Sequence, residues 1–438
     1  MRRKRILIFA YFFPPLGGAG VQRIVKFAKY LPQRGWDPTI VTVRARDYWM
    51  HDATLERELG SDVRVVRTAS LTGLGVLRRL APGSAGGPDA PRASSGGIRR
   101  LRRLAGWFWL PDSYRGWVPF AVRAGADLLA RESFDALLTS SSPDSSHLIG
   151  LALARRFRVP WVADFRDPWT RRISFDPPTR WHHRWHRSTE RRVLRRADLV
   201  TVTAPETRED YLAREPGLAP ERIRVITNGF DEADFAGLEG AAPDPARLRI
   251  LHAGQLNTER PARPFLDGLA RFLEETPSAR VRLRADFIGA HYAEDRDDAR
   301  RLGLEDVVRF ARPLPHRELV AELRASHLLL LMEQDSSRGA LILPGKIFEY
   351  LRARRPILGL LPEGAAAHLI RRLGAGWCCR TGDAACAARL LAERFAAFSR
   401  GAPFETALGE ADLAPFERRA LTAELAEALD DLPTRRLG

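Results

Sequence analysis

Buried-strand patterns alternate with helical patterns along this chain, and the alternation runs through twice. The first run opens at Ile6–Phe13, an apolar stretch followed by a glycine-rich turn and a helical pattern at Val21–Leu31. The second opens at Leu248–His252, after a segment at 229–246 that is typical of a linker. Strands that alternate with helices form parallel sheets covered by helices on both faces. The sequence therefore predicts an α/β protein with two doubly wound, Rossmann-like domains facing a cleft.

The length of the chain supports this division, since 438 residues are enough for two hydrophobic cores. We expect residues 1–240 to form an N-terminal domain and residues 241–412 a C-terminal domain. A last amphipathic pattern, Ala414–Leu429, predicts a helix in the segment 413–438 that crosses back. The stretch 80–97, rich in Ala, Pro, Gly and Ser, predicts a flexible excursion.

The composition limits the classes of partner and compartment. A net charge of +16 favours an anionic partner: nucleic acid, an anionic membrane surface or a phosphorylated substrate. The cysteines, Cys378, Cys379 and Cys386, are odd in number and lack metal-binding spacing, which predicts no disulfide framework and fits a reducing compartment. The apolar N-terminal stretch ends at Pro14–Pro15 without a cleavage site, so we interpret it as a strand. No apolar run is long enough to span a membrane.

The stretch Leu341–Leu358 predicts a ligand site. Pro344 and Gly345 end an apolar run and open a helix at Lys346, whose first turn offers free backbone N–H groups to an anion such as phosphate. Glu349 lies three residues on and points to nearly the same face. Because a carboxylate repels phosphate, Glu349 suits a pair of sugar hydroxyls instead. The sequence predicts a nucleotide-sugar pocket, and an ordinary amphipathic helix is the alternative.

Lysine usage supports the functional interpretation. Lysine occurs only at Lys4, Lys26, Lys29 and Lys346, and arginine supplies the other basic positions. A lysine that persists against this bias is a candidate for a chemical requirement.

Two further stretches predict ligand groups in the first domain. Strand, glycine-rich turn and helix, with Gly17 and Gly18 in the turn, form a phosphate-cradle arrangement, although the spacing is not that of a dinucleotide fingerprint. Asp164 and Asp167 flank Arg166 at the carboxyl end of a predicted strand, where open α/β sheets place ligand groups.

Two basic, tryptophan-containing segments, Ile98–Pro119 and Trp181–Arg196, suit an anionic membrane surface. The alternative is a set of basic surface helices whose tryptophans pack inward.

The whole pattern resembles the family 4 glycosyltransferases of GT-B fold, in the cell-envelope and exopolysaccharide branch. The resemblance covers nearly the whole chain and rests on the order and spacing of several pieces. These are FFPPLGGAGVQR, TSSSPDSSHLIGL, VADFRDPW, ITNGFDEADF, HAGQL with Arg260 and Arg263, and LPGKIFEYLRARRPIL.

The resemblance implies a donor site in the second domain and an acceptor site in the first. It implies that Glu349 holds the ribose, that Lys346 with Arg260 or Arg263 neutralises the diphosphate, and that Gly17 and Gly18 approach it from the other side. It implies retention of anomeric configuration without a metal ion or other cofactor. The family's upstream glutamate is replaced by Leu341, and the nearest acids are Glu333 and Asp335. Many members also have a histidine where this chain has DFRDPW, so Asp164, Asp167 or His147 is the candidate catalytic residue.

The leading hypothesis is therefore transfer of a sugar from a nucleotide diphosphate sugar to a lipid-linked or polysaccharide acceptor. It implies a cytoplasmic protein, peripheral at the inner face of the plasma membrane. The alternatives are a nucleotide-sugar 2-epimerase of the same fold, an inactive binding protein and a basic nucleic-acid-binding protein. The basic stretches contain no recognisable nucleic-acid-reading motif, so we do not expect a nucleic-acid partner.

Overall fold

The computed structural model describes residues 3–16, 19–44, 56, 58–60, 63–71, 107, 109–238, 242–257 and 260–433. The described residues form two compact units. The first contains residues up to Asn228 together with the C-terminal segment from Arg418, and the second is Gly229–Glu417. Gly17, Gly18 and the stretch 80–97 lie outside the described residues.

A seven-stranded parallel sheet in the order β3-β2-β1-β4-β5-β6-β7 forms the centre of the first unit. Its inner strands are continuous apolar runs, as expected where helices cover both faces of a sheet. The strands are β1 (Lys4–Phe9), β2 (Trp36–Val43), β3 (Arg64–Thr68), β4 (Ala136–Ser141), β5 (Trp161–Phe165), β6 (Leu199–Val202) and β7 (Ile223–Val225).

Helices pack on both faces of this sheet, and one contact shows how closely they approach. Gly150 lies on the helix after β4, and a Cβ there would come 2.1 Å from Cε2 of the buried Trp161, so this position requires glycine. The helices are α1 (Ala19–Tyr30), α2 (Val118–Arg131), α3 (Ser146–Phe157), α4 (Arg180–Arg196) and α5 (Pro205–Arg214).

The second unit contains a six-stranded parallel sheet in the order β10-β9-β8-β11-β12-β13. Counted from its own first strand, this order is 3-2-1-4-5-6, that of a Rossmann sheet. The strands are β8 (Leu248–Ala253), β9 (Leu283–Ile288), β10 (Val308–Ala311), β11 (Leu328–Met332), β12 (Ile357–Leu360) and β13 (Gly376–Cys379). The helices are α6 (Arg263–Glu275), α7 (Ala293–Arg301), α8 (His316–Arg324), α9 (Lys346–Ala353), α10 (Ala365–Arg372), α11 (Ala384–Ser399) and the single turn α12 (Glu410–Leu413).

The segment predicted as a linker is partly packed into the second unit. Phe230 and Phe235 are buried there, and the Phe230 amide donates to the Phe416 carbonyl. These two buried side chains anchor the segment after β7 to the second unit, whereas a linker would be exposed.

The last helix begins later than the sequence pattern indicates. A 3₁₀ turn at Ala414–Phe416 precedes α13, which spans Arg418–Asp430 and belongs to the first unit. The Asp430 carboxylate accepts from Lys4 Nζ at 2.7 Å and from Trp36 Nε1 at 3.0 Å. The chain therefore returns to the unit in which it started.

The expectation of no disulfide is wrong for one pair of cysteines. Cys379 at the end of β13 and Cys386 in the first turn of α11 form a disulfide, with their Cα atoms 5.9 Å apart. A tight turn through Gly382, whose φ is +90°, brings strand end and helix start together. The spacing of the two cysteines in the sequence does not show that their side chains meet.

None of the helices in the described ranges combines the length and apolar character needed to cross a membrane.

Candidate functional site

The predicted ligand helix lies where the strand order of the second sheet reverses. β8 and β11 are neighbours at that point, and chain segments leave their carboxyl ends in opposite directions. Open α/β sheets bind ligands in the crevice that this reversal leaves. Helix α9 begins with Lys346 beside the end of β8, and Tyr350 fastens it there because its hydroxyl accepts from the Ala253 amide at 2.9 Å.

His252, on β8, fixes the environment of the Lys346 ammonium group. Its Nδ1 lies 3.0 Å from the Leu330 carbonyl oxygen, which only accepts, so Nδ1 carries the proton. The Nε2 lone pair then faces Lys346 Nζ at 3.4 Å. Burial, followed by the charge of Lys346, lowers the pKa of His252 well below its usual value, so the imidazole is neutral.

Arg260 and Glu333 complete a charged cluster around Lys346. Glu333 follows β11, is 2% exposed, and accepts from Arg260 Nη1 at 3.0 Å. Burial, then the Arg260 charge, lowers the pKa of Lys346 to about 7, against the opposing effect of Glu333 and Glu349. The cluster therefore holds less positive charge near neutral pH than its residue types indicate.

Glu349 lies one turn along α9 from Lys346 and is half-buried. One oxygen of its carboxylate, Oε1, lies 2.9 Å from His316 Nε2. Its other oxygen, Oε2, remains as a further acceptor on the same face of the helix.

The two arginines predicted for the phosphate site differ in placement. Arg260 pairs with Glu333 beside Lys346, whereas Arg263 is on the exposed side of α6 and pairs with Asp267 at 2.6 Å and Asp298 at 3.1 Å. Among the described contacts, Arg260 therefore belongs to the cluster around Lys346, whereas Arg263 pairs with carboxylates outside that cluster.

Asp164 is held in the interior of the first unit. The carboxylate is fully buried on β5, pairs with Arg23 at 2.8 Å, and accepts from the hydroxyls of Ser140 and Thr201 at 2.7 Å each. Burial raises its pKa, but the charge of Arg23 and these hydrogen bonds hold the pKa below its usual value. Such a fully engaged carboxylate is typical of a structural anchor.

Asp167 is half-buried just beyond β5, next to Arg166. The Arg166 guanidinium donates to the Gly20 carbonyl in the first turn of α1, and burial lowers its pKa. Arg166 thus stands beside the first turn of α1, a contact that the sequence pattern does not indicate.

His147 is buried on α3. Its Nδ1 lies 2.9 Å from the Thr139 hydroxyl and its ring centroid 4.3 Å from that of Phe165. Burial lowers the pKa of His147 to about 3, so the imidazole is neutral. Its role in catalysis stays a prediction, as do the roles of Asp164 and Asp167.

Sequence reasoning missed His252 and His316 and gave Glu333 no role. A usable signal was present for two of them: His252 lies at the end of an apolar strand pattern, and Glu333 follows one directly. His316 opens a helix after Pro315 and has no such signal.

We predict that Lys346 loses its proton near pH 7, because its ammonium is partly desolvated beside Arg260. Spectra of protein labelled with ¹³C-lysine should show one lysine signal with a midpoint of about 7. Lys346→Arg should abolish that signal and leave those of Lys4, Lys26 and Lys29.

The same shift fixes the sign of its effect on stability. A lysine pKa that is lower in the folded chain makes the free energy of unfolding rise with pH between about 7 and 10.5, where the unfolded chain takes up a proton. Lys346→Met should remove that rise, whereas the surface change Lys4→Met should not. A Lys346 signal that titrates with the other lysines would contradict the assignment.

Comparison with known proteins identifies the family. Residues 16–234, half of the chain, match the model for Glycosyltransferase Family 4. A D-inositol 3-phosphate glycosyltransferase of Kineococcus radiotolerans is 32% identical over 169 residues, which is 35% of this chain and 38% of that protein. The match thus spans little more than a third of the relative's length.

Two solved structures resemble the whole chain. A glycosyltransferase from Rickettsia africae has a TM-score of 0.64 at 12% identity, with both chains fully covered. A sucrose-phosphate synthase from Thermosynechococcus elongatus has a TM-score of 0.63 at 15% identity, covering 98% of this chain and 99% of that one. At these identities the likeness shows the fold, and the predicted fold class is confirmed. The chain belongs to Glycosyltransferase Family 4 and has the two Rossmann-like units of the GT-B fold.

Proposed function

We propose that the protein transfers a sugar from a nucleotide diphosphate sugar to an acceptor. The observation that carries the proposal is the pairing on α9 of Lys346, set in a cluster with Arg260, and Glu349 one turn away. A nucleotide diphosphate presents the matching groups, two phosphates and a ribose diol, a few ångströms apart. Membership of Glycosyltransferase Family 4 supports the same reaction class.

Lys346 and Arg260 would bind the diphosphate. In the cluster Arg260 forms an ion pair with Glu333, and Lys346 faces the neutral ring of His252. An incoming diphosphate supplies the negative charge that favours the protonated lysine, so binding and proton uptake are coupled. Because protein cations supply this charge, we propose that transfer needs no metal ion. Retention of anomeric configuration is proposed on the family resemblance.

We predict that losses of Lys346 and Glu349 differ in kind. Lys346→Ala removes a cation facing phosphate and should weaken nucleoside diphosphate binding by about one to two decades, with little effect on the bare nucleoside. Glu349→Gln keeps the size but weakens hydrogen bonds to the ribose, so it should penalise ribose nucleotides more than 2′-deoxy analogues. Calorimetry with UDP, GDP and ADP, their 2′-deoxy forms and the nucleosides measures both effects.

Arg271→Ala is the matched control, because it removes an exposed cation that pairs with Glu275 on the same unit. It should bind like the parent. Unchanged affinities of both α9 variants for every ligand would refute the donor site.

The acceptor would bind the first unit, within which most of the family match falls. Asp167 and Arg166, at the carboxyl end of β5, are the groups best placed to orient an acceptor hydroxyl. The relatives are named for a phosphorylated inositol acceptor. For this chain we propose a lipid-linked or polysaccharide acceptor, on the evidence of its basic, tryptophan-bearing surface.

We predict that Asp164→Asn and Asp167→Asn act differently. Asp164→Asn leaves the buried Arg23 without its charged partner and should destabilise the first unit by about 3 kcal/mol or more. Asp167→Asn should leave stability nearly unchanged but lower turnover far more than donor affinity. Thermal unfolding and single-turnover sugar transfer, with a chelator present, separate the two effects. Normal turnover in a folded Asp167→Asn variant would remove Asp167 from the reaction.

Helix α4 supports the membrane part of the proposal. Its acidic residue, Glu190, is buried, and its exposed residues are arginines, Ser188 and Trp181, which is 61% exposed. Trp107, 48% exposed, stacks edge-on against His182 of α4, whereas Trp117 packs inside as the alternative interpretation expects. The exposed arginines of α4 are Arg180, Arg184, Arg187, Arg191, Arg192, Arg195 and Arg196.

Arginines with exposed tryptophans suit an anionic lipid surface. We therefore propose that the first unit docks at the inner face of the plasma membrane, where lipid-linked acceptors and cytoplasmic nucleotide sugars meet.

We predict that the protein co-sediments with vesicles containing phosphatidylglycerol and much less with neutral vesicles. Arg184→Gln with Arg187→Gln should weaken binding by about one to two decades, at about 1 kcal/mol for each arginine. Arg300→Gln with Arg301→Gln, equally exposed changes on α7, is the control for net charge. Equal binding to neutral and anionic vesicles would refute the electrostatic docking.

The epimerase alternative makes a separate expectation. An epimerase would convert the nucleotide sugar without any acceptor, so a reaction with donor alone distinguishes the two enzymes.

A further inference from the structure

His316, the first residue of α8, stands between two carboxylates of the second unit. Its Nε2 lies 2.9 Å from Oε1 of Glu349, and its Nδ1 lies 3.9 Å from Oδ2 of Asp234. The three side chains are each between 19% and 29% exposed. They come from three separate segments: a 3₁₀ turn, the start of α8, and α9.

The proton arrangement at Glu349 follows from these contacts. An ionised carboxylate has no proton to give, so the imidazole must donate from Nε2 to Glu349. This holds for both the neutral ring and the cation, and Asp234, at 3.9 Å, is near enough only for a charge interaction with the cation. The direction of the bond to Glu349 is therefore fixed.

This bond limits how the Glu349 carboxylate can turn. The last torsion of a glutamate is broad and nearly two-fold, so an unheld carboxylate samples many planes. A donor on Oε1 fixes one plane and leaves Oε2 and a lone pair of Oε1 for other donors. Two neighbouring hydroxyls, each donating to one oxygen, fit what remains.

Two further hydrogen bonds join the backbone segments around His316. Arg317 Nη2 donates to the Ala236 carbonyl at 3.1 Å, and Arg352 Nε donates to Glu232 Oε2 at 2.7 Å. These bonds tie the turn that carries Asp234 to both α8 and α9. The three segments that carry Asp234, His316 and Glu349 are thus joined to one another.

We infer that His316 is a positioning residue that sets the Glu349 carboxylate for a vicinal diol and so determines discrimination between ribose and 2′-deoxyribose nucleotides. The inference rests on the proposed ribose role of Glu349. Preorganisation of this kind raises affinity because the carboxylate loses less freedom on binding. This gain in affinity applies only to a ligand whose sugar carries both hydroxyls.

A purely structural role makes a different expectation. If the His316–Glu349 pair only joins α8 to α9, its loss weakens all nucleotides alike. The chain offers a matched pair for comparison, because His368 Nε2 lies 3.0 Å from Glu363 Oε1 on the exposed surface of the same unit.

The experiment compares His316→Ala, His316→Gln, His368→Ala and Glu349→Gln in the full-length protein. Calorimetry uses UDP, GDP and ADP with their 2′-deoxy counterparts. We expect His316→Ala to weaken the ribonucleoside diphosphates about tenfold and the 2′-deoxy forms by less than about threefold. His316→Gln, which keeps an N–H donor, should recover most of the preference, and His368→Ala should match the parent.

The outcomes separate this inference from the donor site itself. If Glu349→Gln loses the ribose preference while His316→Ala keeps it, the inference is wrong and the donor site stands. If His316→Ala weakens both sugar types equally, the pair is only structural and the inference is wrong. If Glu349→Gln and Lys346→Ala both bind like the parent, the proposed function fails and this inference with it. If His316→Ala does not fold, an unchanged ribose preference in Glu349→Gln would still refute the inference about His316.

Discussion

The reversal of strand order beside the first strand of each sheet is the constraint on which both units depend. Successive crossovers leave β8 and β11 in opposite directions, which opens a crevice at the carboxyl ends of these two neighbours. Side chains that follow the strands meet there without being close in sequence. His252 and Glu333 are 81 positions apart by number, yet both lie within reach of Lys346 through this geometry. The Tyr350 hydroxyl, bound to the Ala253 amide, sets the distance at which α9 closes the gap.

The second consequence of this arrangement is electrostatic. A cluster that contained a charged Lys346, a charged Arg260 and a charged histidine in one crevice would repel itself strongly. The protein avoids this in two ways: Glu333 neutralises the arginine, and the proton on His252 points away to the Leu330 carbonyl. These arrangements reduce the positive charge of the cluster and with it the repulsion between Lys346, Arg260 and His252.

The sequence predicts the frame of this site better than its detail. The first strand of each sheet lies at the apolar run that predicts it, because strands buried on both faces need an uninterrupted apolar sequence. Lys346 and Glu349 are predictable since both stand in one local motif. His316 is not predictable in this way. Its contact with Glu349 joins two helices, and no local sequence pattern encodes how those helices pack. The disulfide between Cys379 and Cys386 depends on a turn geometry at Gly382, and a 3₁₀ turn at Ala414–Phe416 precedes α13, so both differ from expectation.

The return of the chain to its first unit has a consequence for the order of synthesis. The second unit, Gly229–Glu417, is inserted into the first, and α13 follows every other described element in the chain. Leu421, Leu425 and Leu429 of α13 belong to the core that also contains residues of α1 and β2. The first unit, although its synthesis begins earlier, therefore keeps part of that core uncovered until α13 has been translated. The inserted unit has its whole sequence available earlier, which reverses the usual amino-terminal-first order of folding in a two-domain chain.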